Sequence, residues 1–181
     1  MLVIIGPSAC GKTQIVNKLI SDFGYKKLVT YTTRPMRLNE KQGIDYNFIT
    51  EEEFKEKINN SFFIEYVKYN NNYYGTSYSD LSKDKVVIIE AEGLKSYLEK
   101  ARNQITVIFI RCSKPIRRIR MIERLDSEEN IQKRLNSDDI VFNENIQALA
   151  DYVIDSSNSN VYDCAKLVDS LYKKSVNSDA N

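Results

Sequence analysis

Short runs of apolar residues punctuate the chain at Leu2 to Ile5, Val86 to Ile89 and Ile105 to Ile110, with a shorter run at Tyr152 to Ile154. Unbroken hydrophobicity over so few residues predicts strands covered on both faces, as in a parallel sheet. The intervening segments carry helical spacing instead: Ile15, Val16, Leu19 and Ile20; Leu94, Leu98 and Ala101; Ile116, Ile119 and Ile122; Val161, Ala165, Val168 and Leu171. Strands alternating with amphipathic helices predict an α/β domain with a parallel sheet. Between residues 30 and 80 that rhythm stops. This stretch is rich in Tyr, Asn and Thr, is punctuated by Pro35, Gly43 and Gly75, and holds one capping-box start at Thr50-Glu-Glu-Glu53. It reads as an inserted, mixed subdomain carrying a polar site. The polar tail from Lys173 to Asn181 is expected to fray.

Composition narrows the chemistry. The 181 residues include 26 Lys and Arg against 25 Asp and Glu, a net charge of +1, which argues against a nucleic-acid partner held by bulk charge. There is no His and no Trp, but there are 12 Tyr. Without His, every His-dependent triad, proton relay and His-ligated metal site is excluded. Cys10, Cys112 and Cys164 are odd in number and widely spaced, which fits a reduced, intracellular setting. Met1 to Ile5 lacks the basic flank and cleavage site of a signal peptide and reads as a strand. No apolar run approaches the length of a membrane span, so a cytoplasmic protein without a membrane partner is expected.

The first chemical signal is Gly6-Pro7-Ser8-Ala9-Cys10-Gly11-Lys12-Thr13, which fits G-x-x-x-x-G-K-[ST] and lies directly between a predicted strand and a predicted helix, as a phosphate loop requires. Its glycines let the backbone approach phosphate, and its N–H groups and the helix N-terminus favour the anion. Lys12 is placed to reach the terminal phosphates, and Thr13 to ligate Mg²⁺. The loop alone does not say what receives the phosphoryl group. A base-reading N-K-x-D segment, usual in GTPases, is absent from the sequence.

The inserted segment supplies a second signal. Thr30-Tyr-Thr-Thr-Arg34-Pro-Met-Arg37 sets two arginines three apart, and guanidinium groups clamp phosphate through paired donors. Behind it come Gly43-Ile-Asp-Tyr46-Asn-Phe48, Phe62-Phe-Ile-Glu65 and Asn72-Tyr-Tyr74-Gly75-Thr76. In this order behind a phosphate loop, these segments resemble the guanylate kinase family over roughly residues 2 to 172. The resemblance implies transfer of the γ-phosphoryl group of ATP to GMP or dGMP, with Mg²⁺. It implies a phosphate-loop parallel core at 1–29, 81–112 and 141–175, a GMP-binding insert at 30–80 and a helical lid at 113–140. Thr30, Arg34, Arg37, Tyr46 and Tyr74 would hold the GMP phosphate, while Glu65 and Thr76 would read guanine. The donor pair at N1 and the exocyclic amine suits one carboxylate, and O6 needs a donor such as a Thr hydroxyl. AMP would leave a buried Glu65 unpaired.

Six basic residues lie between Arg111 and Arg124, against the single acid Glu123. By resemblance they form the lid, where Arg120, Arg124 and Arg134 would neutralise charge in transfer. Arg117 and Arg118 read as a solvated helix face. Three features depart from the family pattern. Glu90 stands where Asp is usual, near Mg²⁺ and the acceptor; Arg124-Leu-Asp-Ser127 lacks the usual R-G-T turn; and Ala9-Cys10 replaces a glycine and a small apolar residue. Cys10 reads as inert unless its pKa is lowered. Two rival readings share these residues: a non-catalytic interaction module of the same fold, and a phosphate-loop kinase of another small phosphorylated acceptor. The kinase reading expects a monomer or homodimer acting on small molecules without nucleic acid, whereas the module would bind a phosphorylated protein.

Overall fold

The computed structural model describes residues 1–69 and 71–178. In chain order the elements are β1 (Leu2–Ile5), α1 (Lys12–Phe23), β2 (Lys26–Lys27), β3 (Tyr31–Thr32), β4 (Asn47–Phe48), α2 (Glu51–Asn59), β5 (Phe63–Tyr69), β6 (Asn72–Ser77) and β7 (Lys85–Ile88). There follow α3 (Ala91–Ala101), β8 (Thr106–Arg111), α4 (Lys114–Glu123), α5 (Glu128–Val141), α6 (Glu144–Gln147), β9 (Tyr152–Asp155) and α7 (Val161–Ser178). The chain divides into two compact units. One is built from Met1–Lys26, Lys83–Ala91 and the chain from Ile105 onward, the other from Lys27–Ser82 and Glu92–Gln104.

The first unit is the α/β element expected from the apolar runs. Its sheet has the order β2-β7-β1-β8-β9, with β1 parallel to both β7 and β8, and β9 parallel to β8. All four residues of β1 are completely buried, because the strand is flanked on both edges and covered on both faces. Ile15, Val16 and Leu19 of α1 share one core with Cys164, Ala165, Val168 and Tyr172 of α7. The Lys173 tail expected to fray is instead helical as far as Ser178. Residues 179–181 lie outside the described residues.

In the second unit a four-stranded sheet of order β4-β3-β6-β5 pairs β6 antiparallel to both β3 and β5. The capping box at α2 forms as its sequence predicts: the Glu53 N–H donates to Thr50 Oγ1 at 3.1 Å, and the Thr50 N–H donates to Glu53 Oε2 at 2.7 Å. That helix then delivers Phe54 into stacks with Phe63 and Tyr73, at centroid distances of 4.4 and 5.2 Å. Most of α3 belongs to this unit, although strand and helix alternation assigns it to the core. Leu94, Tyr97 and Ala101 form its buried face, and Lys100 Nζ donates to the Ile64 carbonyl of β5 at 2.8 Å.

The apolar spacing misidentifies the buried face of α4. Ile119 and Ile122 are half exposed, whereas Arg117 and Met121 are buried. The reason is electrostatic: α5 presents two carboxylates to α4, and Arg117 turns inward to meet them. Among the described residues, no helix is long and apolar enough to cross a membrane.

Candidate active site

The loop from Gly6 to Thr13 leaves the carboxyl end of β1 and opens α1, the edge at which α/β sheets bind ligands. Two of its glycines are required by geometry. Gly6 has φ 144°, and a Cβ there would lie 2.3 Å from the Ile110 carbonyl oxygen of β8. Gly11 has φ 96° and forms the N-cap of α1, with no side chain between solvent and the first amides. Ala9 also holds a positive φ, 59°, a position that favours glycine; its methyl group packs against the Met121, Ile131 and Leu135 cluster of α4 and α5. Lys12 Nζ donates to the carbonyls of Gly6 at 2.5 Å and Pro7 at 2.8 Å, so the ammonium folds over the loop it belongs to. Thr13 is exposed beside it. Cys10 is wholly buried, and burial raises its thiol pKa, consistent with an inert side chain.

The expected lid arginines fall into distinct environments. Arg120 Nη1 donates to the Ala9 carbonyl at 3.3 Å, and its Nη2 to the Ser156 carbonyl at 2.8 Å, placing a guanidinium against the phosphate loop. Arg124 and Arg134 converge on Asp126, at 2.5 and 3.6 Å. Arg118 is partly exposed and pairs with Glu128. Arg117, expected on a solvated face, is instead buried, with Nη1 on Asp138 and Nη2 on Asp139, both at 3.0 Å. Asp138 also accepts the Ser8 N–H at 2.9 Å and the Ser8 hydroxyl at 3.3 Å. One buried ion pair therefore ties α4 and α5 to the phosphate loop. Sequence spacing gave no sign of it, because Asp138 looks like any helical acid until the fold brings it to Ser8.

In the second unit Arg34 donates to Glu40 at 2.7 Å and lies over the rings of Tyr46 and Phe48, at 5.5 and 5.7 Å. The Glu40 hydrogen bond is the main cause that raises the Arg34 pKa, with a smaller contribution from Tyr74. Tyr46 meets Tyr74 edge to face at 6.1 Å, so Arg34, Tyr46 and Tyr74 form one cluster. Arg37 is exposed, and its backbone N–H donates to Glu40 at 2.8 Å. Thr30 is half-buried before β3, and its carbonyl accepts the Asn47 N–H at 2.8 Å. Glu65 of β5 and Thr76 of β6 are register partners, and Thr76 Oγ1 donates to Glu65 Oε1 at 3.0 Å. Burial raises the Glu65 carboxyl pKa, against the opposing pull of the Thr76 hydroxyl. Glu40 is a partner that the sequence did not single out. Glu90, grouped with the acceptor residues in sequence, lies in the first unit, exposed just past β7.

Across known proteins, the guanylate kinase family model matches residues 1–174. The chain belongs to the guanylate kinase family. A guanylate kinase of Sulfurimonas denitrificans is 32% identical over 179 residues, covering 92% of this chain and 83% of its own length. One from Helicobacter hepaticus is 36% identical, covering 75% and 72%, and one from Legionella pneumophila is 35% identical, covering 72% of this chain and 66% of its own length. The crystal structure of guanylate kinase from Anaplasma phagocytophilum superposes with a TM-score of 0.66 at 25% identity, covering 97% of this chain and 85% of that one. A shikimate kinase from Acinetobacter baumannii shares the fold alone, with a TM-score of 0.55 at 11% identity.

Two departures of this guanylate kinase family member now have a local form. The Ala9 methyl fills the space below α4 and α5. The shortened turn after α4 is a Schellman closure: Asp126 N–H donates to Met121 O at 3.1 Å and Leu125 N–H to Ile122 O at 2.8 Å, with Leu125 at φ 62° where glycine is favoured.

Proposed function

We propose that this chain transfers the γ-phosphoryl group of ATP to GMP or dGMP, giving ADP and GDP or dGDP, and that its family membership extends to the family's site residues. The observation that carries the acceptor assignment is the Glu65–Thr76 pair, a carboxylate and a hydroxyl set side by side on neighbouring strands. Guanine matches that pair, donating two N–H groups to the carboxylate and accepting the hydroxyl at O6. Arg34, Arg37, Tyr46, Tyr74 and Thr30 hold the acceptor phosphate, with Glu40 keeping Arg34 extended along the Tyr46 ring.

At the donor end, Gly6 through Thr13 cradle the ATP phosphates, and Lys12 moves from the Gly6 and Pro7 carbonyls to the terminal phosphate oxygens. Arg120, Arg124 and Arg134 spread positive charge over the transferring group. Mg²⁺ fits the residues present. The described residues contain no cluster of three acids that would hold a metal by itself, and Mg²⁺ needs none, since water and phosphate oxygens complete its shell around one hydroxyl such as Thr13. When bound it neutralises charge on the phosphates; Glu90, exposed past β7, can hold one of its waters. No general base is required, because a phosphate monoester has a second pKa near 6 and is mostly dianionic at neutral pH. The enzyme works as a cytoplasmic monomer or homodimer on small nucleotides, without nucleic acid or membrane partners.

The test is a substrate panel. Purified protein with ATP and Mg²⁺ is expected to convert GMP and dGMP to diphosphates in strong preference to AMP, and Glu65→Ala to lose GMP turnover while still binding ATP. Absence of any nucleoside diphosphate product would leave the non-catalytic module, and turnover unaffected by Glu65→Ala would point to another acceptor.

A further inference from the structure

Beneath the Glu65–Thr76 pair lies a group that the proposed reaction does not use. Tyr97 on α3 is completely buried, and among the described residues its hydroxyl has no hydrogen-bond partner. A buried orphan hydroxyl costs stability, and a Phe at this position would pack the same space without that cost. The hydroxyl is not remote from chemistry. Desolvation raises its pKa, and Thr76 and Glu65 both bear on its ionisation, so it lies beside the base-reading pair. Its position is fixed because α3 is bound to β5 through Lys100 and the Ile64 carbonyl, one residue from Glu65. In this state the Thr76 hydroxyl spends its proton on Glu65, and the Tyr97 hydroxyl beside it makes no hydrogen bond among the described residues.

We propose that Tyr97 is a positioning residue for guanine recognition, donating to Thr76 Oγ1 and thereby directing the Thr76 proton to the six-position acceptor of the base. The inference rests on the reading of Glu65 and Thr76 as the guanine site. When guanine occupies Glu65 with its N1–H and amino donors, the carboxylate no longer needs the Thr76 proton, which turns to O6. A threonine hydroxyl has one proton and two lone pairs, and a Tyr97 donor on one lone pair leaves Thr76 acting as a donor. A base with an amino group at that position, itself a donor, then meets another donor. The orphan hydroxyl of the free protein is thus satisfied in the complex, and its cost in the free state becomes discrimination in the bound one.

The experiment compares wild-type protein with Tyr97→Phe, which keeps the ring, using GMP and 6-thio-GMP. These differ at one atom, the second offering sulfur, a weaker acceptor. Wild-type kcat/KM is expected to favour GMP strongly, and Tyr97→Phe to shrink that preference by about tenfold, chiefly through KM for GMP. Thermal unfolding of the free variant is expected at a temperature equal to or above that of wild type, because the orphan is gone. An unchanged GMP to 6-thio-GMP ratio in a folded Tyr97→Phe protein overturns the inference and leaves the guanine reading intact. A wild-type protein inactive on GMP overturns the guanine reading itself.

Discussion

Leu125 occupies a left-handed backbone position while its side chain is 91% exposed. It carries the strain of that conformation with almost no burial in return. Leu125→Gly is therefore expected to stabilise the protein by about 1 kcal/mol, read from denaturant unfolding. At Ala9 the same strain is offset by methyl packing, so glycine there brings no comparable gain. Glu65 offers a pH test. Burial lifts its folded-state pKa above the ordinary carboxylate value, so the folded protein holds this proton more tightly than the unfolded chain. Its contribution to stability therefore falls as pH rises through that raised pKa. Glu65→Gln is expected to be more stable than wild type at neutral pH, with the difference shrinking on acidification. In the wild-type protein, kcat/KM for GMP should fall with acidification at a pH above the ordinary carboxylate pKa, as the carboxylate loses the charge that accepts guanine.

Between elements, the decisive contact is the buried Arg117–Asp138 pair, which joins α4 to α5 and reaches Ser8 in the phosphate loop. Arg117 Nε has no partner among the described residues, so the guanidinium already sits close to its desolvation limit. Removing its main partner with Asp138→Ala is expected to cost about 3 kcal/mol and to weaken ATP binding by freeing Ser8. The double variant Arg117→Leu with Asp138→Ala should recover much of the stability, since no unpaired charge is left buried; calorimetric unfolding of the set checks this. The contact also shows where the sequence misled. The i, i+3 pattern of Ile116, Ile119 and Ile122 marked one face of α4 as buried, yet only Ile116 packs on the core, and the fold buries Arg117 and Met121 in place of Ile119 and Ile122. Hydrophobic periodicity registers only apolar burial, and this interface combines the apolar cluster of Met121, Ile131 and Leu135 with a buried arginine held by two carboxylates.

Over the whole molecule, a net charge of +1 averages the arginines of the proposed phosphate sites against acids that pair with arginines. Asp126 and Glu40 pair with arginines of the proposed sites, and Asp138 and Asp139 with the buried Arg117. Nucleotide phosphates compete for the same guanidinium groups, so the KM values of both substrates should rise with ionic strength in steady-state assays. Chelating Mg²⁺ should abolish turnover yet leave GMP affinity unchanged by calorimetry, because the proposed acceptor contacts are all protein side chains.

The sequence by itself determined what local rules control. The phosphate loop is legible because glycines at positive φ and a following helix are properties of a few adjacent residues, and the α2 capping box and the buried strand β1 for the same reason. The pairing of Glu65 with Thr76 was foreshadowed by the order of motifs, not by spacing. Only the tertiary structure decided which groups meet: Asp138 beneath Ser8, Glu40 on Arg34, Asp126 between the exposed Arg124 and Arg134, and Tyr97 beside Thr76. The meeting of each pair is set by the fold, and at the buried Asp138 and Tyr97 its energetic weight comes from desolvation, which is set by neighbours that the linear order of residues does not specify.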